Sequence, residues 1–434
     1  MLISPKLKYR VLTVGFESDI LYELRRCFHV RFVIAQDPSS DLAWDELHLM
    51  KVDVPAPVLT KEMLACLNFL KQHYVKFSDI NSRRFYYVTA SDSETYNAFV
   101  LTFFACYGVI KDNKINLCLF ANIPHEGFDY LIYLIAQFLK IKTVMCYQSL
   151  FSNRFWVTHK IENFCLFNNF SKLYPLEPSN YKLPHNWFYM QGSNKNAAYN
   201  LRKTLVEILK RPYRLPSALV RYAYAYRFRQ SIKKFTSEPV AGERYIYFPL
   251  HLQPELTTSA LGGEYSDQML AIETLSAWIP KDCCIYLKEN PKQTEKQRDK
   301  FFYKRLSALN NVKLLSQKEN SITLIKNSIG VATVTGTAGW EALFYGKPVL
   351  TFGFAWYRNF SGVIQYQPDL EFESFISHLP PASEFLVSEL DSFLQYAGKG
   401  VVDPAYECLV VNFDANHNAK FVGESLRKYV ELAE

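Results

Sequence analysis

The run Thr335-Gly336-Thr337-Ala338-Gly339-Trp340-Glu341 gathers residue types that hold a phosphate. Small residues let backbone N–H groups approach an anion, and the start of a helix adds partial positive charge. The hydroxyls of Thr335 and Thr337 add donors, and Glu341, one turn further on, can accept hydrogen bonds from a ribose. A small-residue turn also occurs at crossovers that bind nothing, so the reading depends on its neighbours. Downstream, Gly346-Lys347-Pro348-Val349 turns the chain back toward a parallel strand. A second polar group, His251, Gln253-Pro254 and Glu255, follows the apolar run 245–250 and suits a base, a sugar or a carboxylate. The competing reading is that these residues only cap the next element. A third loop, Lys288-Glu289-Asn290-Pro291, has Pro291 to keep it extended and Asn290 to offer a neutral amide. In the other half of the chain, Ile123-Pro124-His125-Glu126-Gly127-Phe128-Asp129 puts a histidine and two carboxylates where a strand gives way to a helix. A general base for a hydroxyl nucleophile fits there: Glu126 first, then Asp129 and His125. The alternative is that Glu126 or Asp129 caps the helix. Arg154, beyond the next apolar run, is a candidate for binding a carboxylate or phosphate.

The elements that position these residues alternate short apolar runs with longer amphipathic ones. Strands are expected at 9–15, 30–35, 114–122 and 142–147, with helices at 18–28 and 128–139. The same pattern restarts with strands at 245–250, 283–288, 312–315, 330–335 and 348–352. Helices are expected at 268–278, 296–308 and 321–327, from residue 339 onward, and finally at 382–396 and 415–432. This is βαβ grammar, which implies two mainly parallel sheets covered by helices. A length of 434 residues suits two or three domains.

The net charge of +7 is concentrated in one place. Residues 201–236 carry ten Lys and Arg against the single acid Glu207, so the rest of the chain is nearly balanced. That distribution, with no recognised binding motif, argues against a nucleic-acid partner. No secretory leader and no apolar run of spanning length is visible, and the 9 cysteines lack metal-binding spacing. A cytoplasmic location with buried thiols is expected. No two aspartates stand two apart, so no metal-holding Asp-x-Asp is present, and a metal-independent chemistry without cofactor is expected.

The 248–255 loop, the 288–291 loop, residues 335–357 and the 123–129 and 147–155 stretches together resemble the bacterial capsule polysaccharide synthesis family, which includes β-Kdo transferases. The resemblance spans roughly residues 114–360. It implies a GT-B-like α/β fold, two Rossmann-type domains facing a cleft, with a helical connector and C-terminal helices. The expected division is an acceptor domain over 1–175, a basic connector over 176–240, a donor domain over 241–380 and C-terminal helices over 381–434. The family uses CMP-activated sugars and carries a Gln-Pro and a His-Pro motif. Gln253-Pro254 matches the first, and Asn290-Pro291 stands where the second is expected. Asparagine can donate and accept hydrogen bonds but cannot carry a proton's charge.

The resemblance implies a glycosyltransferase moving a sugar, Kdo, from a CMP donor to a lipid-linked saccharide, alongside other capsule-assembly proteins. Two alternatives stay open: a UDP-sugar 2-epimerase, and a non-catalytic polysaccharide-assembly subunit on the same fold. For residues 201–236, where Arg211, Arg214, Arg221, Arg227 and Arg229 alternate with aromatic residues, one reading is contact with the inner face of an anionic membrane. The other is a connector with solvated charges and inward-packed rings.

Overall fold

The computed structural model describes residues 8–37, 40–48, 58–82, 91–166, 172–179, 181–184, 223, 226–227, 230, 232–293, 298 and 300–432. The basic segment discussed above therefore lies largely outside the described residues. Strands run in chain order as β1 (Arg10–Val14), β2 (His29–Ala35), β3 (Leu42–Ala43), β4 (Leu117–Phe120), β5 (Lys142–Gln148), β6 (Arg154–Thr158) and β7 (Thr236–Ser237). They continue as β8 (Tyr245–Pro249), β9 (Cys284–Lys288), β10 (Val312–Leu315), β11 (Gly330–Thr333), β12 (Val349–Thr351), β13 (Val363–Gln365) and β14 (Gly398–Lys399).

These strands form two sheets of an α/β fold, ordered β14-β6-β5-β4-β1-β2-β3 and β13-β12-β11-β8-β9-β10-β7. The second sheet is parallel throughout. The first is parallel from β3 to β5 and antiparallel at β6 and β14. Strands such as β4 (Leu-Cys-Leu-Phe) and β11 (Gly-Val-Ala-Thr) are buried at every position, as expected where helices cover both faces of a parallel sheet. All 9 cysteines are free thiols, and seven are buried.

Both sheets are doubly wound. In the first, the chain builds from β1 outward to β3, then returns to β4 on the opposite side of β1. In the second, it builds from β8 to β10, then returns to β11 on the opposite side of β8. The crevice at the carboxyl ends of strands on either side of such a reversal is the usual ligand site of this architecture.

The expected strands and helices form near their expected places. Helices Lys61–Lys71, Tyr74–Ser82 and Asp92–Asp112 occupy a stretch where the sequence reading placed no element. The longest of them opens on a capping box between Ser91 and Glu94. Its buried residues Phe99, Phe103, Cys106 and Ile110 recur at helical spacing and form one inward face. Among the described residues, no helix is long and apolar enough to cross a membrane.

The chain divides into two compact units. One comprises Met1–Pro178, Pro254–Leu261 and Ser388–Glu434, and the other Ser179–Gln253 and Gly262–Val387. The first unit is completed by the end of the chain: β14 pairs with β6, and helix Ala415–Leu432 packs on helix Ser18–Cys27. Val422, Leu426 and Val430 of that last helix are fully buried beside Leu21 and Leu24. The π-helical turn Leu256–Ala260 also belongs to the first unit, held by Ser259 Oγ donating to Asp79 (2.7 Å) and by Lys76 Nζ donating to the Ala260 carbonyl (3.3 Å).

Candidate functional site

In the second unit, the β8 and β11 ends meet at His251. Its Nε2 lies 2.9 Å from Thr333 Oγ1, and the Thr335 N–H donates to it at 3.5 Å. Thr333 Oγ1 also accepts from the Gly336 N–H at 3.0 Å. This arrangement makes Nε2 the accepting nitrogen, with the ring proton on Nδ1. Burial, reinforced by the nearby Arg298 guanidinium, lowers the His251 pKa to about 4. The imidazole is neutral at physiological pH and holds the 333–336 turn from beneath.

The glycines of that turn answer to packing. A Cβ on Gly336 would stand 2.9 Å from Thr333 Oγ1 and 3.0 Å from His251 Cε1. One on Gly339 would collide with the Tyr357 hydroxyl, which itself donates to the Gly336 carbonyl. Gly336 is the N-cap of helix Thr337–Phe344 and supplies no capping side chain. Among the described residues the Ala338 N–H finds no partner, and Gly336, Thr337 and Ala338 are half-exposed. A first-turn amide left open in this way accepts an external anion. Glu341 lies further along the same helix, half-buried.

The protonation of His251 has a measurable consequence. Its folded pKa of about 4 lies below the unfolded value of about 6.5, so the unfolded chain takes up a proton that the folded chain refuses. The stability this histidine contributes is complete above pH 6.5 and falls as pH drops from 6.5 toward 4. Between pH 7.5 and pH 5 it should lose about 2 kcal/mol. Urea unfolding at both pH values should show a larger decline for the wild type than for His251→Gln; equal declines would refute the buried neutral imidazole.

Gln253 directs its side chain into the protein. Its Oε1 accepts from Gln268 Nε2 (2.9 Å) and Arg298 Nη1 (3.2 Å), and its Nε2 donates to the Ser266 carbonyl (3.1 Å). Its backbone N–H donates to Gln293 Oε1, and its carbonyl accepts from Gln293 Nε2. Arg298 also donates to the His251 carbonyl (3.0 Å) and to Glu289 Oε2 (2.9 Å), and its guanidinium lies over the Phe302 ring at 4.6 Å. The Arg298 and Glu289 side chains are each 1% exposed. Burial pushes the Glu289 carboxyl up, while Arg298 and the Asn290 N–H counteract that rise.

Asn290 Oδ1 accepts from the Lys292 N–H at 2.9 Å, a turn that carries the chain through Pro291. The Asn290 Nδ2 has no partner among the described residues. Pro254 begins the arm that joins the first unit, and Glu255 is the N-cap of the π-helical turn, its N–H donating to Thr258 Oγ1 at 3.2 Å. Thr335 is buried at the base of the 335–339 loop.

In the first unit, residues 123–129 follow β4 at the corresponding reversal. The three candidates have different surroundings. Asp129 accepts from three backbone N–H groups: His125 (2.9 Å), Glu126 (2.7 Å) and Tyr130 (2.6 Å). That is the work of a capping carboxylate. His125 Nδ1 lies 2.7 Å from the Ile123 carbonyl and donates to it, which leaves Nε2 facing Glu126 Oε1 at 3.4 Å. Glu126 is 6% exposed, and Gly127 beside it takes φ +90° to make the turn.

Arg154 pairs with Glu177 at 2.7 Å, and Glu177 also accepts from Lys399. Glu177 thus serves two cations, so the Arg154–Glu177–Lys399 group keeps one net positive charge.

Sequence reasoning did not assign Gln268, Gln293, Arg298 or Glu289, which lock the 251–253 loop. It also passed over Glu17, which follows β1 across the crevice from β4. Its carboxyl pKa is raised by desolvation and then by Asp37, Glu407, Asp403 and Asp19. The available signal for Glu289 and Glu17 was their position just past a strand; Arg298 offered none.

Comparison with known proteins adds the following. The family described as capsule polysaccharide biosynthesis protein matches residues 207–381. None of the curated proteins matches the chain. Among solved structures, the β-Kdo 2,7 transferase KpsC of Thermosulfurimonas dismutans is similar at 13% identity and a TM-score of 0.35, over 84% of this chain and 96% of that one. The β-Kdo 2,4 transferase KpsC of the same organism is similar at 10% identity and a TM-score of 0.32, over 66% and 82%. UDP-GlcNAc 2-epimerase of Methanocaldococcus jannaschii is similar at 13% identity and a TM-score of 0.24, over 98% and 99%. All three are likenesses of fold. The stretch 207–381 that matches the capsule polysaccharide biosynthesis family holds the His251, Gln253 and 335–339 loops.

Proposed function

We propose that this chain is a glycosyltransferase of capsular or other surface polysaccharide synthesis, moving a sugar, Kdo, from a CMP donor to a lipid-linked saccharide. The observation that carries the reading is the open first turn of helix Thr337–Phe344, set at the strand reversal of the unit that contains the family match. The donor phosphate would sit at the Ala338 amide and the threonine hydroxyls, with Glu341 on the ribose. Glu126 would take the acceptor hydroxyl proton as that oxygen bonds to the anomeric carbon, or steady the positive charge developing there. CMP would leave with the bonding electron pair, its phosphate charge stabilised by the helix start. The lipid-linked acceptor gives residues 201–236 a use as a contact with the inner membrane surface.

Purified protein should release CMP from CMP-Kdo and transfer Kdo to a lipid-linked saccharide, while UDP-sugars stay intact. Turnover of UDP-sugars alone would overturn the donor assignment, and interconversion of a free UDP-HexNAc without acceptor would make the protein an epimerase.

A further inference from the structure

Arg154 opens β6, and Lys399 stands directly opposite it in the antiparallel pair with β14. Phe155 is in register with Gln148, the last residue of β5, so both cations lie at the end of the sheet where β5 finishes. That end is the ligand-bearing edge of this architecture. Like charges placed directly across two strands repel, and these sit on half-buried side chains, 13% and 22% exposed. Glu177 offsets part of that repulsion: Oε2 accepts from Arg154 Nη2 at 2.7 Å and Oε1 from Lys399 Nζ at 2.9 Å. Tyr174 lies beside them, its ring centroid 4.8 Å from Lys399 Nζ and 4.6 Å from Lys428 Nζ. Its hydroxyl, 2.8 Å from Ser425 Oγ, fixes the ring in place.

The next charges cancel, because Lys428 pairs with Glu424 and Arg427 with Glu431. One positive charge shared by Arg154 and Lys399 is left over. Their donors are in surplus as well. A guanidinium has five N–H groups and an ammonium three, and each cation uses one of them on Glu177. Among the described residues the other side-chain donors of both have no hydrogen-bond acceptor. Recessed cations with unused donors are a poor resting state that an anion from outside improves.

The charge and the shape narrow what that anion is. A single positive charge suits a singly charged group. A carboxylate has that charge and lies flat along a guanidinium edge through two N–H···O bonds. A phosphomonoester, close to doubly charged at neutral pH, leaves excess negative charge beside Glu177. A flat anionic lipid surface would meet Glu177, 48% exposed and of the same sign, before it reached the recessed cations.

We propose that Arg154 and Lys399, ordered by Glu177 and Tyr174, bind the carboxylate of a small sugar acid or other organic acid. The inference does not depend on the donor assignment above.

D-Glucuronate and D-glucose, which differ by one carboxylate, should be titrated into the full-length protein at low salt by saturation-transfer NMR. The wild type should bind glucuronate about tenfold more tightly than glucose. Arg154→Gln should remove that advantage and leave glucose unaffected. Lys399→Met should do the same, and it decides the matter if circular dichroism shows Arg154→Gln to be unfolded. Glu177→Gln removes the internal competitor and should tighten glucuronate about threefold, a gain that a purely structural ion bridge does not produce. Glucuronate bound no better than glucose, bound unchanged in both cation variants, or weakened by Glu177→Gln would overturn the inference. So would glucose 6-phosphate held more tightly than glucuronate through the same two residues. Phosphatidylglycerol vesicles that bind through Arg154 and Lys399 while glucuronate does not would assign the pair to a lipid surface and overturn it too.

Discussion

Glu126→Gln should lower kcat for transfer from CMP-Kdo by about 10²- to 10⁴-fold, the usual effect of removing a general base. KM for the donor should stay within about threefold, because the donor is assigned to other loops. The substitution is nearly isosteric and removes the carboxylate from the His125 pair, 3.4 Å away, without emptying the site. Asp129→Asn provides the contrast. Asp129 accepts from three backbone N–H groups through both oxygens, and an amide can accept through only one. It should therefore show mainly as a lower unfolding midpoint, with kcat per folded molecule much less affected. Steady-state kinetics beside thermal melts of the two variants separate these outcomes. A Glu126→Gln enzyme with undiminished kcat would remove Glu126 from the chemistry.

The largest expected effect on stability lies in the second unit. Arg298→Met leaves the Glu289 carboxylate 1% exposed and without its cation, a change that costs about 3–5 kcal/mol in comparable buried pairs. The double variant Arg298→Met with Glu289→Leu should recover most of that loss. The His251 carbonyl and Gln253 Oε1, which Arg298 also serves, each keep a bond from Gln268 Nε2. Urea unfolding at neutral pH of wild type, single and double variants measures the difference. A double variant no more stable than Arg298→Met would show that Arg298 acts through its bonds to the 251–253 loop and not through Glu289.

These two cases also show where sequence reasoning reaches and where it stops. The two parallel-rich sheets were legible because strands buried on both faces read as unbroken apolar runs, as in Leu117–Phe120 and Gly330–Thr333. The candidate loops were legible because each follows such a run. Helix Asp92–Asp112 was harder: its apolar stretch is nearly continuous, which blurs the 3.6-residue period. Within the site, position was readable and role was not. Nothing in the string separates Glu126, whose carboxylate faces His125 Nε2 at 3.4 Å, from Asp129, which caps a turn three residues later. Arg298 reaches Gln253 from 45 positions away, a contact set by the fold of two loops and not by any local pattern.

The pairing of β14 with β6, and of helix Ala415–Leu432 with helix Ser18–Cys27, bears on how the chain matures during synthesis. Most of the first unit precedes the second in the chain, yet its sheet and core need Gly398 through Val430, which are synthesised after the second unit. Closing contacts across some 400 residues is slow, because the entropy of a long loop is lost before the contacts form. The second unit has all its strands by Gln365 and can complete its sheet while the tail is still being made. The order of synthesis and the order of completion are therefore reversed. Until the tail arrives, the apolar face of Leu21 and Leu24 waits uncovered, and the nascent chain is then most exposed to chaperones and to aggregation.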